Sequence, residues 1–313
     1  MNDVILIGGP TAAGKSLVSM QIAAKLQPYG GAIIINSDSM QVYKDFEILT
    51  SRPKKSDLIA FEHRLYGFIP VSQNFTVYNW KKYADAAIRY AWRIGSFPIV
   101  VGGTGLYFNI LQAGISEIPD IDYKTKIVGS EILQNEGLSV LYDDLCKLDP
   151  EGSKLINPRD SQRILRSWEV VKSTKFPMRY WHNKEKKNKL NARWLGYSLM
   201  PDRNDLYKKI DQRFRNMIDN GAIDEVKCFL SSNANFAYSI NKAIGLKELS
   251  DYLHGFISLE EAIVIAQKSS RRLAKRQFTW FRNQMPAWKH FEHDHKTIVN
   301  KIFANICKFV LTV

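Results

Sequence analysis

Gly9-Pro10-Thr11-Ala12-Ala13-Gly14-Lys15-Ser16 decides the fold, because its spacing, Gly-x-x-x-x-Gly-Lys-Ser, is that of a phosphate-binding loop. The apolar run Val4-Ile5-Leu6-Ile7 precedes it, and an amphipathic segment from Leu17 to Leu26 follows. Such a loop needs that strand–loop–helix context. The glycines let backbone N–H groups turn inward around phosphate oxygens, and the helix presents its positive end to them. Lys15 adds a point charge, and Ser16 offers a hydroxyl to a bound Mg²⁺. The stretch therefore predicts a phosphorylated small molecule held by Gly9, Pro10, Thr11, Ala12, Ala13, Gly14, Lys15 and Ser16.

The chain is 313 residues long, with 45% hydrophobic residues, enough for a substantial core. Lys and Arg number 44 against 31 Asp and Glu, a formal charge of +13. Such an excess favours a polyanionic partner larger than a nucleotide, nucleic acid first, although a Lys-rich solvated surface gives the same number. Cys146, Cys228 and Cys307 are isolated, with no C-x-x-C pair, so they suggest neither a zinc site nor a disulfide framework. No apolar run approaches the ~18 residues that span a bilayer, and the first residues enter a strand directly. A soluble, cytoplasmic protein without a membrane segment is expected.

Strand and helix patterns alternate over the first hundred residues, as in a parallel sheet covered by helices. Ala32–Asn36 and Pro98–Val101 read as buried strands, with the near-continuous β-branched runs of strands covered on both faces. Tyr78 to Ile94 reads as a helix, and His63 to Val71 as a shorter strand. From Ile115 to Thr174 the periodicity is helical, and Asn183 to Asn191 is a Lys-rich polar linker. Trp194 to Met200 returns as a strand, and a long helix starts at Ser258 with Glu260 and Glu261 in its first turn. The fold class is α/β: a P-loop NTPase-like parallel sheet covered by helices, with a helical insert. The expected boundaries are 1–115 with 190–313 for the core and 116–189 for the insert.

Ligands of open α/β sheets bind beyond the carboxyl ends of the strands. The phosphate loop, Asp38 and Thr104 each follow a predicted strand, which points all three to one cleft. Asp38 serves equally well as a turn or cap residue, and Thr104 by itself reads as the cap of the next helix. On the late helix, Arg271 and Lys275 are one turn apart, as are Arg272 and Arg276, a basic face suited to phosphate contacts. Phe278 and Phe281 are expected to pack against the sheet.

GPTAAGKS, NSDSMQVYKDFEILTSRP, VVGGTGLY, NPRDSQRILRSWEV, NKAIGLKEL and AKRQFTWFR occur in this order along the chain. In motif order and spacing, the chain resembles the bacterial-type tRNA dimethylallyltransferase (tRNA isopentenyltransferase) family over nearly its whole length. The resemblance implies transfer of a dimethylallyl group from dimethylallyl diphosphate to N6 of the adenosine beside the tRNA anticodon, with release of diphosphate. It also implies Mg²⁺ as cofactor, a phosphate loop that holds the prenyl diphosphate, Asp38 as the base that takes the amine proton, and Thr104 at the reacting centre. The base must be extruded from its stack to be reached.

By the same resemblance, Asp38, Ser39, Met40 and Gln41 grip the extruded nucleotide, and Gln162, Arg163, Ile164, Leu165 and Arg166 form a second tRNA contact. Lys126 corresponds to a basic insert residue, usually arginine, that contacts diphosphate or tRNA. Arg271, Lys275 and Arg276 complete the expected tRNA surface. Leu273 and Leu246 stand where the family usually has tyrosine. A monomer is the simplest assembly. Three other readings are a prenyltransferase acting on free adenosine nucleotides, a small-molecule or nucleotide kinase, and an RNA-binding switch protein without transferase activity.

Overall fold

In the computed structural model, which describes residues 2–186, 188–232, 240–292 and 294–308, β1 (Asp3–Gly8) runs into the phosphate loop and then α1 (Lys15–Leu26). β2 (Ala32–Asn36), α2 (Lys55–Ala60), β3 (His63–Arg64) and α3 (Val77–Arg93) follow. Next come β4 (Phe97–Val101) and α4 (Gly105–Ala113). Helices α5 (Tyr123–Glu131), α6 (Leu138–Leu148), α7 (Pro150–Ser153), α8 (Ser161–Thr174) and α9 (Met178–Asn183) lead to β5 (Arg193–Leu199). The remaining elements are α10 (Arg203–Asp219), α11 (Ala222–Ser231), α12 (Leu246–Leu253), α13 (Leu259–Gln284), β6 (Lys289–Phe291) and α14 (His295–Ile306).

The strands form one sheet in the order β3-β2-β4-β1-β5-β6, with every pairing parallel. Ile99 of β4 pairs with Ile5 of β1 on one side and Ile34 of β2 on the other. Val4 to Ile7, Ile33 to Ile35 and Ile99 to Val101 are all buried, as continuous apolar runs require when helices cover both faces. Because β2, β4 and β1 are neighbours, their carboxyl ends bring Ser37–Tyr43, Gly102–Thr104 and the phosphate loop together.

Two segments depart from the sequence reading. The extended stretch expected from His63 to Val71 pairs only over His63–Arg64, plus a single bridge between Tyr43 and Ile69. Leu65 (φ 66°) and Gly67 (φ 53°) are left-handed, which turns the backbone off the sheet. The edge strand β6 and helix α14 were not anticipated. Three residues, two of them exposed, carry too little alternation to announce a strand.

The chain divides into two compact units, residues 1–112 with 190–313, and residues 113–189. The first has a single core around the sheet. The second has its own, built from Leu141, Leu145, Ile164, Trp168 and Val171. There the Trp168 indole donates to Asp144 Oδ2 at 2.7 Å, satisfying the one polar atom that this ring would bury. Among the described residues no helix is long and apolar enough to cross a membrane.

Helix α13 does most to fix the site. Ser258 caps it and accepts from the Glu261 N–H, while Glu261 returns a bond to the Ser258 N–H. Its inward face carries Ala274, Gln277, Phe278 and Phe281, all buried, as expected for the two phenylalanines. Phe281 packs against Gly8 at the end of β1, where no side chain would fit.

Gly102 is the glycine held tightest against another stretch of backbone, because a Cβ there would overlap the backbone of Ser37. Gly102→Ala therefore forces β4 and the loop after β2 apart. We expect a loss of about 1–3 kcal/mol, the usual cost of overpacking, read as a lower midpoint in urea unfolding. An unchanged midpoint would show that the two strand ends do not need this contact.

Candidate active site

The phosphate loop is shaped by three residues with positive φ: Gly9 (138°), Ala12 (61°) and Gly14 (81°). Gly14 leads into α1 in the left-handed region, a position that favours glycine. Among the described residues, the N–H groups of Ala12, Gly14, Lys15 and Ser16 have no protein acceptor, so they are available to an anion. Lys15 folds back so that Nζ donates to the Pro10 carbonyl at 2.6 Å. Loss of water pulls its pKa down to about 8, an effect that the Asp38 carboxylate counters and the neighbouring Arg213 adds to.

Two other segments are tied to this loop. Gln277 of α13 accepts the Thr11 N–H through Oε1 at 2.8 Å and donates from Nε2 to the Gly103 carbonyl at 3.0 Å. One buried amide thus joins the loop after β1 to the loop after β4. Thr104 then joins the latter to the loop after β2: its N–H donates to the Ser37 carbonyl at 3.2 Å, and its Oγ1 accepts the Ser39 N–H at 3.1 Å. The Thr104 side chain is spent on the Asp38 segment rather than on the first turn of α4.

Asp38 has two environments at one carboxylate. Oδ1 accepts the Met40 N–H at 2.9 Å, the turn-closing bond expected of an aspartate after a strand. Asn36 fixes the backbone beneath it, accepting the Asp38 N–H at 2.8 Å and donating to the Asp38 carbonyl at 2.9 Å. Among the described residues Oδ2 carries no hydrogen bond, and Asp38 lines two adjoining cavities. Its charge also pushes the Tyr66 phenol upward, on top of the larger effect of that ring's burial.

The larger cavity, about 340 Å³, is polar, with Lys15, Ser16, Lys209, Arg213, Tyr66 and the amides of the loop in its wall. The smaller, about 100 Å³, is bounded by apolar Met40, Leu49, Phe214, Met217, Ile244 and Leu273. Thr11, Asp38, Thr50 and Arg213 belong to both walls, so the carboxylate sits between a polar cavity at the phosphate loop and one whose wall mixes apolar side chains with Lys242, Ser270 and Gln277. Among the described residues no cluster of three His, Cys, Asp or Glu side chains is present. A divalent cation here would rely on ligand oxygens, with the Ser16 hydroxyl of the phosphate loop available in the same wall.

Arg213 escaped the sequence reading. Its guanidinium donates to Thr11 Oγ1 at 3.0 Å, and burial lowers its pKa against the opposing pull of Asp38. A signal was available. Leu206, Ile210, Phe214 and Met217 make the buried stripe of α10, and Arg213 falls within that stripe, where a cation needs an anion to face. Gln277 interrupts the stripe of α13 in the same way.

The other predicted residues are spread more widely. Ser39 and Met40 border Asp38, but the Gln41 amide already donates to the carbonyls of Thr50 and Ser51 at 2.9 and 3.1 Å. In the second unit, Ile164 is fully buried and so presents no side chain for RNA, while Leu165 is half-buried beside that core. Gln162, Arg163 and Arg166 are displayed on the surface of α8, with Arg163 and Arg166 bridged to Asp160 and Glu169. Lys126 lies on α5 of the same unit. Lys275 and Arg276 are exposed on α13, whereas Arg271 is half-buried against Asp211. That ion pair removes Arg271 from the freely available cations.

The IPP transferase family model matches residues 41–284, and the Zeta toxin model matches residues 2–58, the segment with the phosphate loop. A tRNA dimethylallyltransferase of Pelagibacter ubique is 39% identical over 287 residues, covering 92% of this chain and 90% of the relative. One from Paramagnetospirillum magneticum is 36% identical, covering 98% of this chain and 97% of its own. The crystal structure of the full-length tRNA isopentenylpyrophosphate transferase from Bacillus halodurans is similar at a TM-score of 0.71 and 31% identity, covering 98% of this chain and 96% of that one. A eukaryotic dimethylallyltransferase acting on tRNA is similar at a TM-score of 0.75 and 28% identity, covering 90% of this chain and 70% of its own. A phosphate loop tied through Gln277 and then Thr104 to the loop that carries Asp38, in a chain matched over nine-tenths or more of its length by such proteins, places it in the IPP transferase family.

Proposed function

We propose that the chain transfers a dimethylallyl group from dimethylallyl diphosphate to N6 of the adenosine beside the anticodon of tRNA, releasing diphosphate. The observation that carries this reading is the single carboxylate, Asp38, shared by the walls of a polar cavity at the phosphate loop and of a second, partly apolar one. The diphosphate lies against the unpartnered amides of Ala12, Gly14, Lys15 and Ser16, with Lys15 and Arg213 as countercharges. The extruded purine enters on the apolar side, past Met40.

An adenine amine is a poor nucleophile, because its lone pair is delocalised into the ring. As the new C–N bond forms, Asp38 Oδ2 takes the N6 proton within hydrogen-bond reach. The allylic C–O bond breaks with its electron pair going to the diphosphate. Fixed donors that face this growing charge lower the barrier without having to reorganise. The hydroxyl of Ser16 has no hydrogen-bond partner among the described residues and fits a Mg²⁺ ligand beside diphosphate oxygens. Bound there, Mg²⁺ would neutralise charge on the leaving group. Thr104 acts one step back, holding the loop that carries Asp38.

Purified protein incubated with Mg²⁺, dimethylallyl diphosphate and unmodified tRNA should yield a prenylated adenosine next to the anticodon, detected by mass spectrometry. Product from AMP but not from tRNA would favour the free-nucleotide reading, and product formed only from ATP would favour a kinase.

The two oxygens of Asp38 make its roles separable. Asp38→Asn keeps an acceptor for the Met40 N–H but removes the base, so the single-turnover rate should fall about 10²–10⁴-fold with tRNA affinity within several-fold. A near-normal rate would reduce Asp38 to a turn residue.

The sign of the pH response follows from Lys15. Its pKa of about 8 lies below the ordinary 10.5, so the free site is fully cationic only below pH 8. Binding of an anion favours the charged form. The KM for dimethylallyl diphosphate should therefore rise above pH 8, toward about ten-fold per pH unit, and Lys15→Met should remove the slope. A wild-type KM that stays level from pH 7 to 10 would mean that Lys15 does not face the donor.

A further inference from the structure

Residues 113–174 of the second unit hold eight Lys and Arg against eleven Asp and Glu, whereas residues 175–186 hold four against one. Its positive charge is therefore concentrated where the chain turns from α8 into α9. The same turn carries three aromatic side chains, Phe176, Tyr180 and Trp181, which belong to neither hydrophobic core. Phe176 and Tyr180 are stacked at 4.3 Å with an interplanar angle of 18°, yet remain 46% and 38% exposed. Trp181 stands edge-on to both.

The arrangement is built rather than loose. Thr174 Oγ1 bonds to the Val170 carbonyl at 2.7 Å, and accepts the Phe176 N–H at 3.2 Å and the Trp181 indole N–H at 3.3 Å. One hydroxyl at the end of α8 thus sets the directions of the segment and of the tryptophan ring. Lys184 Nζ lies 4.6 Å from the ring centroids of both Tyr180 and Trp181. Rigid exposed rings bordered by cations are what an unstacked base and its phosphates require, since every base has a π-face and every nucleotide a negative charge.

Building on the proposed tRNA substrate, we infer that Phe176, Tyr180 and Lys184 form an RNA-docking platform on which an unpaired base of that tRNA stacks beside Phe176 while Lys175 and Lys184 meet the flanking phosphates. This surface is separate from the α8 face of Gln162, Arg163 and Arg166. Its role is to hold the RNA, not to take part in the bond-making step. An acidic protein is the other partner that such charge would accept, but charge alone would not call for stacked, exposed rings.

The test is direct binding of fluorescently labelled tRNA to the full chain, followed by anisotropy, together with steady-state kinetics. Phe176→Ala combined with Tyr180→Ala should weaken tRNA binding about ten-fold, the loss of one stacked base at roughly 1–3 kcal/mol. The KM for dimethylallyl diphosphate should not move. Lys175→Ala with Lys184→Ala leaves the rings in place and should lower the slope of log affinity against log salt by about 1–2. If both double variants bind tRNA with wild-type affinity and salt slope, the platform is not an RNA surface, as the acidic-protein alternative predicts. The binding readout stands even if the chain were to lack transferase activity, so failure of the proposed reaction and failure of this inference can be told apart.

Discussion

The arrangement of the site depends on one neutral amide. Gln277 receives the Thr11 N–H and gives a hydrogen to the Gly103 carbonyl, so it spans two loops that no backbone ladder connects. Each bond is modest, about 1 kcal/mol net, but the Gly103 carbonyl is buried, and leaving it unpaired would cost more than the bond gains. A carboxylate at this position could accept but not donate, and an aliphatic chain could do neither. The amide hangs from α13, whose outward face displays Lys275 and Arg276. The helix with this basic outer face and the phosphate loop are therefore tied together by one side chain.

Electrostatics divides the labour around that link. Asp38 sees Lys15 and Arg213, two cations whose charged forms burial disfavours and the carboxylate supports. Both line the same cavity as the amides of the phosphate loop. Two cations, one carboxylate and the unpartnered amides leave this wall net positive, a set that suits an anion.

Much of this could be read from residue order alone. Continuous β-branched runs marked β1, β2 and β4, and the glycine spacing marked the phosphate loop, because those features follow from local sterics and from burial on two faces. The cleft at the strand ends followed from topology. Arg213 and Gln277 were missed because their roles come from partners 202 and 266 residues away. No periodicity encodes such a partner, although a polar residue inside an apolar stripe was the available hint. Ile164 shows the opposite error. A motif taken as a whole carried a buried core residue into a list of contacts. The turn at Phe176 lay just before the segment taken for a linker, and its rings became legible only when they proved to lie outside both cores.

The place of β1 in the sheet also governs how the molecule comes into being. Ile5 lies between Ile99 and Leu195, so its second neighbour is made 190 residues after it. At about 5–20 residues per second, an apolar strand emerging first waits on the order of 10–40 s for its final flank. During synthesis that bare edge is a template for misassociation with other nascent strands. The helical unit from 113 to 189 sits inside the interval, so its length sets part of the delay, and lengthening it would prolong the dependence on chaperones during translation.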